Sequence, residues 1–144
     1  TIVMGRTTYD QALGFGAWAY PGKKTYVLSS RELGPAPVPA DVERWAGTVP
    51  QLVQALRRPD AKDVWILGGA KVVRAFLDAD AVDQLELFVM PVLLGDGIPL
   101  FERRAPIERR VRLVDAEKFS CGATRLVYGF RPAKPVSITP PLPA

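Results

Sequence analysis

Two short segments place glycine, a cation and a helix start directly after an apolar run: Met4-Gly5-Arg6-Thr7-Thr8 and Leu67-Gly68-Gly69-Ala70-Lys71-Val72. Glycine lets the chain turn tightly and lets a ligand approach the backbone. The first N–H groups of the helix that follows have no intrahelical partner, so they favour an anion. Arg6 adds a planar fork and Lys71 a point charge. This is phosphate-binding chemistry, although a strand-glycine-helix turn also serves as an ordinary connection in any α/β protein. Two such turns, with Ser29-Ser30-Arg31 ending an intervening strand, point to a dinucleotide. Neither turn carries the G-x-G-x-x-G spacing, which disfavours a standard Rossmann site.

Other chemistries fall away. The sequence contains no histidine, which removes His-based triads, HExxH zinc sites and the His/Cys zinc site of nucleobase deaminases. No metal site is expected. Asp10, Asp63 and Asp96 read as solvated or capping groups, so no residue is assigned as a proton donor and the catalytic residue is unknown. The single Cys121 excludes an internal disulfide and fits a reducing, cytoplasmic compartment. The chain carries 19 basic and 15 acidic residues, for a net charge of +4. Its densest basic run, Arg103-Arg104 then Arg109-Arg110 and Arg112, alternates with Val111 and Leu113 as a solvated strand face does. No aromatic platform accompanies it, so no nucleic-acid partner is expected.

The elements that must hold the two turns follow from patterning. With 144 residues, 48% of them apolar and 24% charged, the chain suffices for one domain with a real core. No stretch is long and apolar enough to span a membrane. Thr1-Ile2-Val3-Met4 is already a buried-strand run, and chains rarely begin in mid-strand, so sequence upstream of Thr1 is expected. Thr7 and Thr8 are N-cap candidates for a helix through about Leu13, broken by Gly14 and Gly16. Strands are expected at Thr25 to Leu28 and Val42 to Trp45. Thr48-Val49-Pro50-Gln51 predicts a capping box, followed by the stripe Val49, Leu52, Val53, Leu56 and a stop at Pro59. A strand at Asp63 to Leu67 leads through Gly68-Gly69 into a helix from Ala70 to about Asp78, burying Val72, Val73, Phe76 and Leu77. Later strands are expected at Gln84 to Met90, Val111 to Val114 and Thr124 to Phe130, the last two antiparallel. This order describes an α/β fold, a mostly parallel sheet with a terminal antiparallel addition. Residues 1–131 form the domain, and the proline-rich tail 132–144 is extended or loose.

Within that frame the chain resembles the dihydrofolate reductase superfamily, in the branch that includes the riboflavin-biosynthesis reductase (RibD C-terminal) domain. The resemblance runs from Ile2 to about Phe130. Ile2 to Tyr9 is similar to the family's Met-Gly-Arg-x-Thr segment, and Pro21-Gly22-Lys23-Lys24 with Val27-Leu28-Ser29-Ser30 matches the turn and strand that follow. Ile66 to Val72 resembles the signature Gly-Gly segment, whose glycine–glycine peptide is typically cis. Leu94-Gly95-Asp96-Gly97-Ile98-Pro99-Leu100-Phe101 matches the branch's late loop.

The resemblance implies a three-layer fold lacking its N-terminal strand here, and an NADPH-dependent reductase acting by hydride transfer on a small, pteridine- or pyrimidine-like substrate. Gly5, Arg6, Thr7 and Thr8 would meet the cofactor phosphates. Gly68, Gly69, Ala70, Lys71 and Val72 would hold the diphosphate, with Leu67 and Val73 near the nicotinamide and substrate. Ser29, Ser30 and Arg31, with Arg6 and Lys71, would surround the adenosine 2′-phosphate. The family's substrate-side carboxylate is expected upstream of Thr1. Val73 stands where folate reductases carry a tyrosine, and Lys23 where they carry the arginine that grips folate's glutamate. The insert Gly14 to Tyr20 is expected to rebuild the substrate wall. A homodimer is also implied. The alternative is a non-catalytic nucleotide-binding or assembly protein on the same fold.

Overall fold

The computed structural model describes residues 1–36, 39–59, 61–102 and 108–130. The chain divides into two units, residues 1–81 with 98–102 and residues 82–97 with 108–130.

In the first unit Ile2, Val3 and Met4 are all buried, as in a strand covered on both faces. They form β1 (Ile2–Gly5), one of the two inner strands of a parallel sheet. β2 (Thr25–Leu28) and β4 (Trp65–Gly68) flank it, and β3 (Val42–Trp45) pairs with β2, giving the order β3-β2-β1-β4. Ile2 and Met4 join Tyr9, Ala12, Trp18 and Val27 in one core cluster. Gly5 faces Val72 on the opposite side of the sheet.

Helix α1 (Arg6–Leu13) corrects one expectation. Its N-cap is Gly5, without a side-chain cap, because β1 runs straight into the helix. Thr7 and Thr8 therefore lie inside the first turn and cap nothing. Helix α2 (Val49–Leu56) has the expected capping box: Thr48 Oγ1 accepts from the Gln51 N–H at 3.4 Å, and Gln51 Oε1 accepts from the Thr48 N–H at 2.8 Å. It ends at Leu56, before Pro59. Helix α3 (Ala70–Asp78) buries Val72, Phe76 and Leu77, while Val73 is half-buried.

From the insert Gly14 to Tyr20, Trp18 and the half-buried Tyr20 pack into this unit, while the other five residues are exposed. Trp18 is buried and donates its indole N–H to the Tyr20 carbonyl at 3.0 Å. Edge-to-face contacts link Tyr9, Trp18, Tyr20 and Trp65, with centroids 5.4–6.0 Å apart.

The second unit is an antiparallel sheet of β5 (Gln84–Val89), β6 (Arg112–Lys118) and β7 (Thr124–Gly129), in the order β5-β7-β6. The antiparallel part thus has three strands where the sequence reading placed two, and β6 begins one residue later and continues four further than expected. Burial along β5 alternates from Gln84 to Leu87, the pattern of a sheet solvated on one face. Arg125 on the central strand donates to Glu86, Asp115 and Glu117 at 2.9, 2.7 and 3.2 Å. One guanidinium therefore bridges all three strands, and these carboxylates hold its pKa above the ordinary value, Glu86 foremost. Of the basic run, Arg112 opens β6 and is exposed, whereas Arg103 and Arg104 lie outside the described residues, as does the tail 132–144.

Candidate functional site

The C-terminal ends of β1, β2 and β4 lie side by side. Gly5 pairs in register with Leu28, and Met4 with Gly68. From this edge leave α1, the turn after β2, and the Gly68-Gly69 connection into α3. Ligands of open parallel sheets bind at such an edge. Here both helix N-termini stand at it.

The two glycine turns face one another. A Cβ on Gly5 would lie 3.1 Å from Val72 Cγ2, and one on Gly69 would lie 3.9 Å from Thr8 Oγ1. Gly5 is thus required by the close approach of α3. Gly68 is required by its backbone, at φ +119°, and the Gly68–Gly69 peptide is cis, as the resemblance implies. Gly69 has an ordinary φ of −77°, and no protein atom within 3.9 Å of its built Cβ. The space in front of it is open.

Ser29 and Arg31 close the turn after β2. Ser29 Oγ donates to the Arg31 carbonyl at 2.6 Å and accepts from the Arg31 N–H at 3.1 Å. Arg6 ties this turn to α1: its Nε donates to both Asp10 carboxylate oxygens at 3.1–3.2 Å, and its Nη1 to the Glu32 carbonyl at 2.7 Å. Arg44 on β3 pairs with the Glu32 carboxylate at 2.6 Å. The side chains of Ser30, Arg31, Lys71 and Thr7 are exposed and make no hydrogen bond or ion pair among the described residues. Four cations, Arg6, Arg31, Arg44 and Lys71, border the edge against two carboxylates, Asp10 and Glu32. An edge with excess positive charge, open backbone and two helix N-termini favours anionic groups.

The predicted phosphate-side residues Gly5, Arg6, Thr7, Thr8, Ser29, Ser30, Arg31 and Gly68 to Val72 are thus brought to one edge. Leu67 packs against the core cluster, and Val73 donates its N–H to the Gly69 carbonyl at 3.1 Å. Asp10 pairs with Arg6, Asp63 accepts from the N-terminal amine through its carbonyl, and Asp96 accepts from the Gly97 N–H. Each is a capping or surface group. Sequence reasoning missed Glu32 and Arg44, which meet only because β3 lies parallel beside β2. Among the described residues no cluster of His, Cys, Asp and Glu suits a metal ion.

The sequence profile of the RibD C-terminal domain family matches residues 28–124. Two uncharacterized proteins of Bacillus subtilis (strain 168) are similar. YyaP is 36% identical over 78 residues, covering 53% of this chain and 40% of YyaP. YwjB is 30% identical over 121 residues, covering 83% of this chain and 67% of YwjB. Among solved structures, a Shewanella sp. PV-4 protein provisionally assigned to riboflavin biosynthesis superposes with a TM-score of 0.77 at 26% identity, over 91% of this chain and 73% of that one. Acinetobacter baumannii RibD gives 0.64 at 19% identity, over 90% and 46%. A pyrimidine reductase-like protein of Corynebacterium diphtheriae gives 0.62 at 18%, over 92% and 76%. At those identities the last two establish the fold alone. The chain spans less than half the length of YyaP and of the Acinetobacter protein.

Proposed function

The chain belongs to the RibD C-terminal domain family, and from that premise we propose that it is an NADPH-dependent reductase of a small heterocycle, pteridine- or pyrimidine-like, with a role in riboflavin biosynthesis. One observation carries the reading: two glycine-helix turns face each other at one sheet edge, bordered by Arg31 and Lys71 side chains without partners among the described residues. The Acinetobacter RibD and pyrimidine reductase-like neighbours support the same direction.

The residues present fit the cofactor. Gly69 keeps the backbone open and Gly5 lets α3 approach β1, the first turns of α1 and α3 offer N–H donors to the diphosphate, and Ser30, Arg31 and Lys71 are placed to take the 2′-phosphate. When bound, NADPH supplies the hydride. The chain's own work is to bind, orient and exclude water. Arg6 contributes by holding the Ser29–Glu32 turn against α1.

The protein is further proposed to be a cytoplasmic homodimer. Among the described residues no helix is long and apolar enough to cross a membrane. Phe88, Val89, Met90, Val92, Leu93 and Leu94 are exposed, and apolar exposure of this kind marks an association surface. Sedimentation at a monomer mass would overturn that part.

The deciding experiment is titration with NADPH and NADH, followed by NADPH oxidation against a panel of pyrimidines and pteridines. Tighter NADPH binding and oxidation accelerated by a panel member are expected. Binding without acceleration would favour the non-catalytic nucleotide-binding alternative, and absence of binding would overturn both.

A further inference from the structure

We infer that Arg44 determines nucleotide specificity: by pairing with Glu32 it cancels the one carboxylate of the turn after β2, so that the turn accepts a 2′-phosphate. The inference rests on reading this edge as a nucleotide site.

Glu32 directly follows Ser29-Ser30-Arg31 and is held from two sides. Its carbonyl accepts from Arg6 Nη1 at 2.7 Å, and its carboxylate meets Arg44 Nη2 at 2.6 Å. Arg44 Nη1 also reaches the Ser29 carbonyl at 3.5 Å. The two partners differ in freedom. The Arg44 side chain is 29% exposed and that of Glu32 is 83% exposed. Arg44 is the anchored group, and the carboxylate stays where Arg44 holds it.

A carboxylate beyond the second strand of a nucleotide-binding sheet has a recognised chemistry. It accepts hydrogen bonds from ribose hydroxyls and repels a phosphate in their place. With Arg44 removed, Arg31 and an unpaired Glu32 leave the turn without net charge. With Arg44 present the turn is cationic. An exposed ion pair of this kind adds little to folding stability, so the pair is better explained by the charge it sets beside the ligand.

The experiment is calorimetric titration of wild type, Arg44→Met, Glu32→Gln and the double variant with 2′,5′-ADP and 5′-AMP, which differ only in the 2′-phosphate. Thermal melts report folding in parallel. Arg44→Met is expected to weaken 2′,5′-ADP on the order of tenfold, with 5′-AMP changed by less than about twofold. Removing the stranded carboxylate in the double variant should recover most of that loss, and Glu32→Gln alone should cost nothing. Equal loss for both probes, or no recovery in the double variant, overturns the role of Arg44 while leaving the nucleotide site standing. Wild type that binds 2′,5′-ADP no better than 5′-AMP overturns the 2′-phosphate reading and this inference with it.

Discussion

Gly5 and Val72 are packed so closely that a Cβ on Gly5 would stand 3.1 Å from Val72 Cγ2. This contact joins the N-cap of α1 to the buried face of α3, and so sets the distance between the two glycine turns. Gly5 has an extended backbone, φ −84° and ψ 164°, which alanine also adopts. The obstacle to a side chain is therefore space alone.

Gly5→Ala is expected to destabilise the protein by about 1–3 kcal/mol through overpacking. Val72→Ala in the same chain should return part of that loss, because it removes the atom that is struck. Denaturant midpoints of the four proteins in the cycle check this. Strictly additive losses would mean that the two residues are not coupled.

Gly69 presents the opposite case. Its φ is ordinary and its built Cβ touches nothing closer than Thr8 Oγ1 at 3.9 Å. Gly69→Ala should melt within about 1 kcal/mol of wild type, since the protein itself has room. Nucleotide affinity should nonetheless fall at least about tenfold, because the added methyl enters the space kept for the diphosphate. Retained affinity would show that the ligand does not pass in front of Gly69.

Those two glycines also mark how far the sequence alone reaches. Both turns were legible because their signals are local: an apolar run, a glycine and a helix start. The capping box of Thr48 and Gln51 was legible for the same reason. The N-terminus of α1 was not, since two threonines offer plausible caps and only the direct entry of β1 into the helix makes Gly5 the cap. The Glu32–Arg44 pair depends on the parallel placement of β3 beside β2, which no local pattern encodes. The strand at β5 was legible, yet its pairing with β7, about 40 residues away, is a tertiary choice. The aromatic insert read as a substrate wall, while Trp18 lies in the core with Tyr9.

Alkaline pH should unfold the protein through two groups acting in the same direction. Burial of Tyr9, and secondarily the Asp10 charge, raises its phenol above the ordinary 10.0. Side-chain hydrogen bonds that Lys24 donates to Glu43 and Asp41 raise it above 10.5. For each, the folded state holds its proton more tightly than the unfolded state. The resulting stability is complete below the unfolded value and is lost as pH rises through the folded one. Stability should therefore fall from about pH 10 upward. Tyrosinate absorbance followed beside circular dichroism checks the Tyr9 part: its share should appear only with unfolding, and Tyr9→Phe should remove that late step. Full tyrosine ionisation in a folded protein would contradict it.

Dihydrofolate should be a poor substrate. Folate reduction needs a grip on the glutamate tail, and Lys23, where the folate reductases carry arginine, presents a point charge in place of a planar fork. Val73 offers no hydroxyl beside the Gly69 turn. The insert is anchored at Trp18, which packs against Tyr9 and Tyr20 and donates its N–H to the Tyr20 carbonyl. Steady-state oxidation of NADPH with dihydrofolate is expected to give a kcat/KM below the common enzyme range of about 10⁴–10⁸ M⁻¹s⁻¹. Lys23→Arg should not restore it, since Val73 and the packed insert are unchanged. A wild-type value inside that range would defeat this reading of the substrate side and leave the nucleotide side untouched.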